Sequence, residues 1–454
     1  MLDDVVAAVA ETHRGRRWVV AYDAAAGSRT LVEALEEWGA AGVMVVAATE
    51  GVGRLPEVPV HYTRTSGDTV MTGLRAFERS LVNPDDALLD ALERFDPRGE
   101  AGVIAVPFST FEHLAARPVH GQRRPEWLAL EDKTTVDGIW DAAGVGRAPS
   151  TVVSVADAPA AAERLAGPGG TMWAADNTEG WHGGGEYARW VPDPSGFEAA
   201  VEWFAGRART VRVMPFLDGL PCSIHGFVGS TKIGVFRPVE MLILRRTDRP
   251  GLVYAGFSTY WDPPADIRQS MREAARRVAV LLRDRVGYRG GFSVDGVLVA
   301  EGFRPTELNP RTSAGLGMQA FAAEVPIGSI TRCLIAGEVE VDGAELEAAI
   351  VPGADARRLG GMGLLAPDHR EGAEVRVRFD ADRAVVAGAG EEADGPLAIG
   401  PAVSGSYVRL ELDPGRIQPG PSLAPVTAKA ANLAIHLWSL SLPRVEAAPD
   451  PFAR

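Results

Sequence analysis

The chain has almost no lysine: Lys133, Lys232 and Lys429 are the only three among 46 basic residues in 454. Arginine stands nearly everywhere a cation will do, so a retained lysine points to work that a compact ammonium does and a planar guanidinium does not. Cysteine is as scarce. Cys222 and Cys333 have no CxxC neighbour, which argues against a disulfide framework or a thiolate metal site. The eight histidines include no HxH or HExxH pair, so no zinc site is expected. No uncharged apolar run reaches the roughly 18 residues that a membrane span needs, so no membrane partner is expected. The opening, MLDDVVAAVAETHRGRR, is acidic before it is basic and has no long apolar core, unlike a secretory signal; the cytoplasm is the expected location. A net charge of −14 and a pI near 5.2 leave no basic face for a phosphate backbone, which excludes nucleic acid as the expected partner. GxGxxG, GxSxG and GxxxxGK[ST] are all missing, so neither a dinucleotide fingerprint, a hydrolase elbow nor a P-loop is indicated.

What is present is a soluble, globular composition, 46% hydrophobic and 23% charged, with length for about two to four packed units. The runs RRWVVAYD (16–23), VMVVAA (43–48) and AGVIAVPFS (101–109) read as buried strands. Between the first two, Leu31, Ala34, Leu35 and Trp38 have helical spacing. Strand–helix–strand order with continuous apolar strands predicts a parallel sheet. A helix is expected from about Lys133 to Ala143. TMWAADNTEGWHGGGEYARWV (171–191) reads as two strands around a glycine-rich loop, and DIRQSMREAARRVAVLLRDRVGY (266–288) as an amphipathic helix burying Met271, Ala275, Val278 and Leu282. Short strands are expected at 373–380, 383–390 and 406–413, and a last helix from about Ala424 to Ser439. The fold class is α/β. A Rossmann-like unit spans 1–127, an α+β catalytic region 128–350 with a small subdomain at about 150–215, and a β-rich unit 351–454.

The densest chemistry lies in FSVDGVLVAEGFRPTELNPRTSAGLG (292–317). Asp295 lies on one strand, and Glu307 and Asn309 on the next, so a hairpin brings them to one face. Two carboxylates and a carboxamide suit a hard divalent ion such as Mg²⁺. Arg311 follows, placed to stabilise a developing negative oxygen. Lys133 can meet a phosphate as a point charge. The backbone N–H groups of EGWHGGGEY, with His182, Gly183, Gly184 and Gly185, can close over phosphates. FRPVEMLILRR carries Arg237, Arg245 and Arg246, some facing one cleft.

In order, these pieces resemble the ATP-grasp superfamily from about Glu131 to Val325. EDK…AAGVGRAP resembles its lysine segment, VMPFLDGLPCSIHGFV its hinge strand, and the 292–315 stretch its metal segment. The resemblance implies ATP and Mg²⁺ (or Mn²⁺) as cofactors, with Lys133 on the phosphates and Met214, Pro215, Phe216 and Leu217 at adenine. Asp218 stands in for a ribose contact. Asp295, Glu307 and Asn309 hold the metal, Arg311 steadies the transferred phosphoryl group with Arg237 and Arg245, and Ser313, Ala314, Gly315 and Arg246 lie toward the substrate. The Ser313–Gly315 segment is expected to be a loop. The chain departs from the family pattern at 173–175, where Trp173, Ala174 and Ala175 stand in place of a second phosphate lysine. GLPCSIHGFV and RPVEMLILRR are similar to a branch of pheganomycin-type peptide ligases. The implied activity is an ADP-forming ligation of a small carboxylate to an amine through an acyl phosphate, in peptide or amino-acid-derived metabolite synthesis. Alternatives are a thioester-forming, carboxylating or phosphotransferring enzyme, or a degenerate ATP-binding module. The C-terminal unit either covers the cleft or forms a homodimer contact.

Overall fold

In the computed structural model, which describes residues 2–176, 183 and 185–452, four principal sheets carry the chain. Helix α1 (Leu2–His13) precedes strand β1 (Arg17–Ala21), helix α2 (Arg29–Glu37), strands β2 (Gly42–Ala47) and β3 (Val60–Tyr62), helices α3 (Val70–Val82) and α4 (Asp86–Phe95), and strand β4 (Gly102–Ala105). The sheet order is β3-β2-β1-β4, all parallel. Its strands are apolar on both faces because helices cover both, as the continuous runs predict.

After helix α5 (Val136–Ala143) comes a small antiparallel sheet built of β5 (Thr151–Ser154), β6 (Thr171–Ala175), β7 (Ala188–Val191) and β8 (Thr210–Pro215), in the order β5-β8-β6-β7. Helices α6 (Ala158–Leu165) and α7 (Phe197–Phe204) pack on one face through Trp173, Val211 and Val213. The expected start of α5 at Lys133 is corrected. The Asp132 carboxylate accepts from the Thr134 N–H and hydroxyl, at 2.8 and 2.7 Å, and this local turn delays the helix to Val136. Lys133 therefore sits on a turn.

The largest sheet holds β9 (Leu220–Val228), β10 (Ile233–Arg246), β11 (Leu252–Ser258), β12 (Gly290–Val299) and β13 (Gly302–Asn309), in the order β11-β10-β9-β12-β13. Helix α8 (Ala265–Val286) buries Met271, Ala275, Val278 and Leu282 against one face, the stripe its spacing predicts. Helices α9 (Ala314–Ala322), α10 (Ile327–Ala336) and α11 (Gly343–Ala356) follow. The 311–337 segment is thus two helices. Glu324 has φ +59 and Pro326 precedes α10, so the chain must break between them. Ser313 to Gly315 is not a loop either: Ser313 caps α9 by accepting from the Leu316 N–H at 3.4 Å, and Ala314 and Gly315 form the first turn.

The C-terminal sheet comprises β14 (Gly361–Ala366), β15 (Ala373–Phe379), β16 (Ala384–Val386), β17 (Gly395–Ala402) and β18 (Gly405–Glu411), in the order β14-β18-β17-β15-β16, with helix α12 (Ala424–Leu437). It shares one apolar core with Leu242 and Leu244 of β10. Strand β19 (Val445–Ala447) pairs with β10 itself. No helix among the described residues is long and apolar enough to cross a membrane.

Candidate active site

The β12–β13 register sets Asp295 opposite Glu307, with Ser293 opposite Asn309 and Ser223 of β9 beside Asp295. Alternation then puts all of these side chains on one face, away from α8. Asp295 accepts from the Asn309 amide at 2.8 Å and from the Ser223 hydroxyl at 2.6 Å. Burial, then repulsion from Glu307, pushes its carboxyl up to about 6. Lys133 Nζ meets Glu307 Oε1 at 2.7 Å. This pairing joins the turn before α5 to the hairpin, although 174 positions separate the two residues.

The set fits a divalent cation. Among the described residues no basic side chain is hydrogen-bonded to Asp295: its hydrogen bonds come from neutral groups, and the residue opposite it in the register is another carboxylate. The Asn309 NH₂ is engaged with Asp295, which leaves its carbonyl oxygen for a ligand. Oxygen donors of this kind suit Mg²⁺.

Arg311 lies just past the hairpin. Its guanidinium pairs with Glu131, which also takes Arg123 at 2.5 Å, and lies 4.4 Å over the Phe108 ring. Glu131, Arg123 and Phe108 escape a sequence reading because they come from separate segments. The glycine-rich loop is described only in part, and His182 and Gly184 lie outside the described residues. A side-chain carbon at Gly183 would lie 3.4 Å from Phe108, so Gly183 approaches the ring that carries Arg311. Gly185 has φ +72 and open space around it.

At the hinge, Met214 and Pro215 are paired into the small sheet, and the Phe216 N–H donates to Gly170 O at 3.0 Å. Phe216 stacks on Trp190 with centroids 4.1 Å apart at 10°. Arg245 of β10 lies 5.3 Å from the Phe216 ring and 5.9 Å from Trp190, and pairs with Asp218 at 2.5 Å. The small sheet therefore turns its Trp190 face toward the large sheet. Arg212 has the same orientation, opposite Ala174 in the register, and is buried against Asp137 of α5 at 2.7 and 3.0 Å. Trp190 and Arg212 were not singled out by any motif; their placement on the strand face was the available signal.

Two arginines stand elsewhere. Arg237 is fully buried and does not face an open cleft. A bulge in the β9–β10 pairing carries it into a cluster with Asp262 at 2.6 Å and Asp355 at 3.1 Å. Arg246 pairs with Asp248 two residues on, at 2.7 Å. Trp173 and Trp261 are buried in the core, and Trp181 lies outside the described residues.

No family model matches the chain, and no curated protein does. Solved structures do. Phosphoribosylamine–glycine ligase from Thermotoga maritima superposes with a TM-score of 0.54 at 14% identity over 95% of this chain and 97% of that one. The biotin carboxylase domain of Hydrogenobacter thermophilus 2-oxoglutarate carboxylase, solved with MgADP, ADP and bicarbonate, gives 0.52 at 12% over 95% and 91%. N5-carboxyaminoimidazole ribonucleotide synthetase in its ADP complex gives 0.52 at 12% over 94% and 97%. These are ATP-grasp enzymes, and the fold of this chain is the ATP-grasp fold across nearly its whole length.

Proposed function

We propose that this chain, built on the ATP-grasp fold, is an ATP- and Mg²⁺-dependent ligase that joins a small carboxylate to an amine and releases ADP. The observation that carries the reading is the juxtaposition of Asp295, Glu307 and Asn309 on one face with Lys133 held against Glu307. Mg²⁺, when bound, supplies the charge neutralisation that phosphoryl transfer needs.

The protein's own groups do the rest. Lys133, a compact ammonium on a turn, offers a point charge to a phosphate oxygen and releases Glu307 to the metal. Arg311 is held by Glu131 and Phe108, so a planar donor pair is fixed beside the hairpin before substrate arrives. It would steady negative charge on the transferred phosphoryl group and on the acyl phosphate formed from the acid. The Phe216–Trp190 pair gives adenine an apolar surface, and Leu217 follows the last paired hinge position. Gly183, against Phe108, stands where it helps to exclude water from an acyl phosphate. An amine then displaces phosphate at the acyl carbon and leaves an amide, and small peptides or amino-acid-derived metabolites in the cytoplasm are the proposed products.

The test is ADP release across a panel of acids and amines, with the product identified as amide, thioester, carboxylated compound or phosphate ester. Glu307→Ala should lower turnover on the order of 100-fold or more. Full activity in that variant would refute the metal assignment, and an ester or thioester product would refute the amide reading.

A further inference from the structure

Outside the hairpin site, four metal-binding side chains converge on one point. His13 ends α1, His120 follows the strand segment that hydrogen-bonds to β4, Cys333 lies on α10, and Glu338 follows the Gly337 that ends α10. Ligand atoms of His120, Cys333 and Glu338 all lie within 4.8 Å of one another. His13 Nε2 lies 3.9 Å from Cys333 Sγ, and His120 Nε2 lies 2.7 Å from Glu338 Oε2. We propose that these four residues form a structural zinc site that fastens α1 and the end of the first unit to α10.

Two of the separations lie near those that zinc requires. Bonds of about 2.0 Å to nitrogen and oxygen and about 2.3 Å to sulfur, at tetrahedral angles, separate N and S by about 3.6 Å and N and O by about 3.3 Å. The first pair needs to close slightly and the second to open by a rotamer adjustment of Glu338, the most exposed of the four at 27%.

A second observation points to the same ligand. His13 is fully buried, and its Nε2, aimed into the cluster, has no hydrogen-bond partner among the described residues but the Cys333 sulfur at 3.9 Å. The surroundings suit a closed site. His13 stacks on Trp38 at 5.3 Å and meets Trp18 edge-on at 4.7 Å, and His120 meets Trp18 at 5.2 Å. This aromatic wall excludes water. Arg332 is directed away, to Tyr22 and Ala105, and Arg16 holds the other Glu338 oxygen. On binding, the Cys333 thiol loses its proton to solvent, His120 carries its ring proton on Nδ1 so that its Nε2 lone pair is free, and Zn–S and Zn–N bonds form; thiolate and carboxylate together balance the dication. Four protein ligands leave no open position, so the role is structural rather than catalytic.

The test uses the full chain, stripped with a chelator under reducing conditions and titrated with Co²⁺. One equivalent should bind with tetrahedral visible absorption and a thiolate-to-cobalt charge-transfer band, and Zn²⁺ should displace it. Cys333→Ser should lose the charge-transfer band. Glu307→Gln, which removes a ligand of the hairpin site, should keep it, so failure here is distinguishable from failure of the ligase reading. Zn²⁺ should also raise the melting temperature of the wild-type chain. A wild-type chain with no charge-transfer band, or a band that survives in His13→Gln at unchanged affinity, would overturn the proposal.

Discussion

Gly315 shows how much can depend on one missing methyl group. A side-chain carbon there would lie 2.7 Å from His225 Cε1 and 2.8 Å from its Nε2. His225 is buried, its Nδ1 facing the Gln319 amide at 3.3 Å and its Nε2 the Ser223 hydroxyl at 3.5 Å. Ser223 in turn donates to Asp295. Gly315 thus lets α9 approach the row of side chains on the Asp295 face of the sheet. Gly315→Ala should destabilise the protein by about 1–3 kcal/mol through overpacking. His225→Ala in the same chain should recover part of that loss. Urea unfolding of the four proteins in the cycle measures it, and strictly additive effects would show that the two side chains do not meet. The sequence exposed Gly315 as a residue of interest but assigned it to a loop. The Ser313 cap that makes it helical is a local signal; the imidazole that excludes a side chain lies 90 positions away and leaves no local trace.

At the scale of elements, the small sheet is fastened to α5 by Arg212 and Asp137. The guanidinium is only 2% exposed, and its Nη1 also lies 3.1 Å from Met214 Sδ. Removing the carboxylate leaves a buried charge without its counter-charge, which typically costs about 3–5 kcal/mol. Asp137→Ala should therefore lower stability strongly, and Asp137→Ala combined with Arg212→Met should restore much of it. Denaturant midpoints check this, and a double variant no more stable than the single would count against the burial argument. The elements themselves were legible. The parallel strands of the first sheet, the apolar stripe of α8 and the β12–β13 hairpin all follow from periodicity. The bulge that hides Arg237 was not, because alternation along FRPVEMLILRR assumes an unbroken register.

For the molecule as a whole, Glu240 joins the central sheet to the C-terminal unit. This buried β10 carboxylate accepts from the Leu423 N–H at 2.7 Å, the Ala424 N–H at 3.3 Å and the Ser422 hydroxyl, all at the start of α12. Burial pushes its carboxyl up to about 7, against the pull of those hydrogen bonds. The folded protein therefore holds a proton that the unfolded chain gives up near 4.5. The stabilisation is full below that pH and is lost as pH rises through 7. Across this window the wild-type chain should lose up to about 3 kcal/mol relative to Glu240→Gln, as read from unfolding curves. A difference independent of pH would refute the assignment.

What the sequence by itself determined is the placement of the polar side chains within one short hairpin. Asp295, Glu307 and Asn309 share a face because strand alternation has period two, and two adjacent strands leave little choice of partner. The scarcity of lysine marked Lys133, which the fold places on Glu307. Only the tertiary structure decided the rest: Glu131 holding Arg311, Trp190 facing Phe216, Glu240 capping α12, and His13, His120, Cys333 and Glu338 drawn into one cluster. Each of these joins side chains from distant segments. No periodicity records such a meeting, because packing of whole elements, rather than local backbone geometry, brings the atoms within reach.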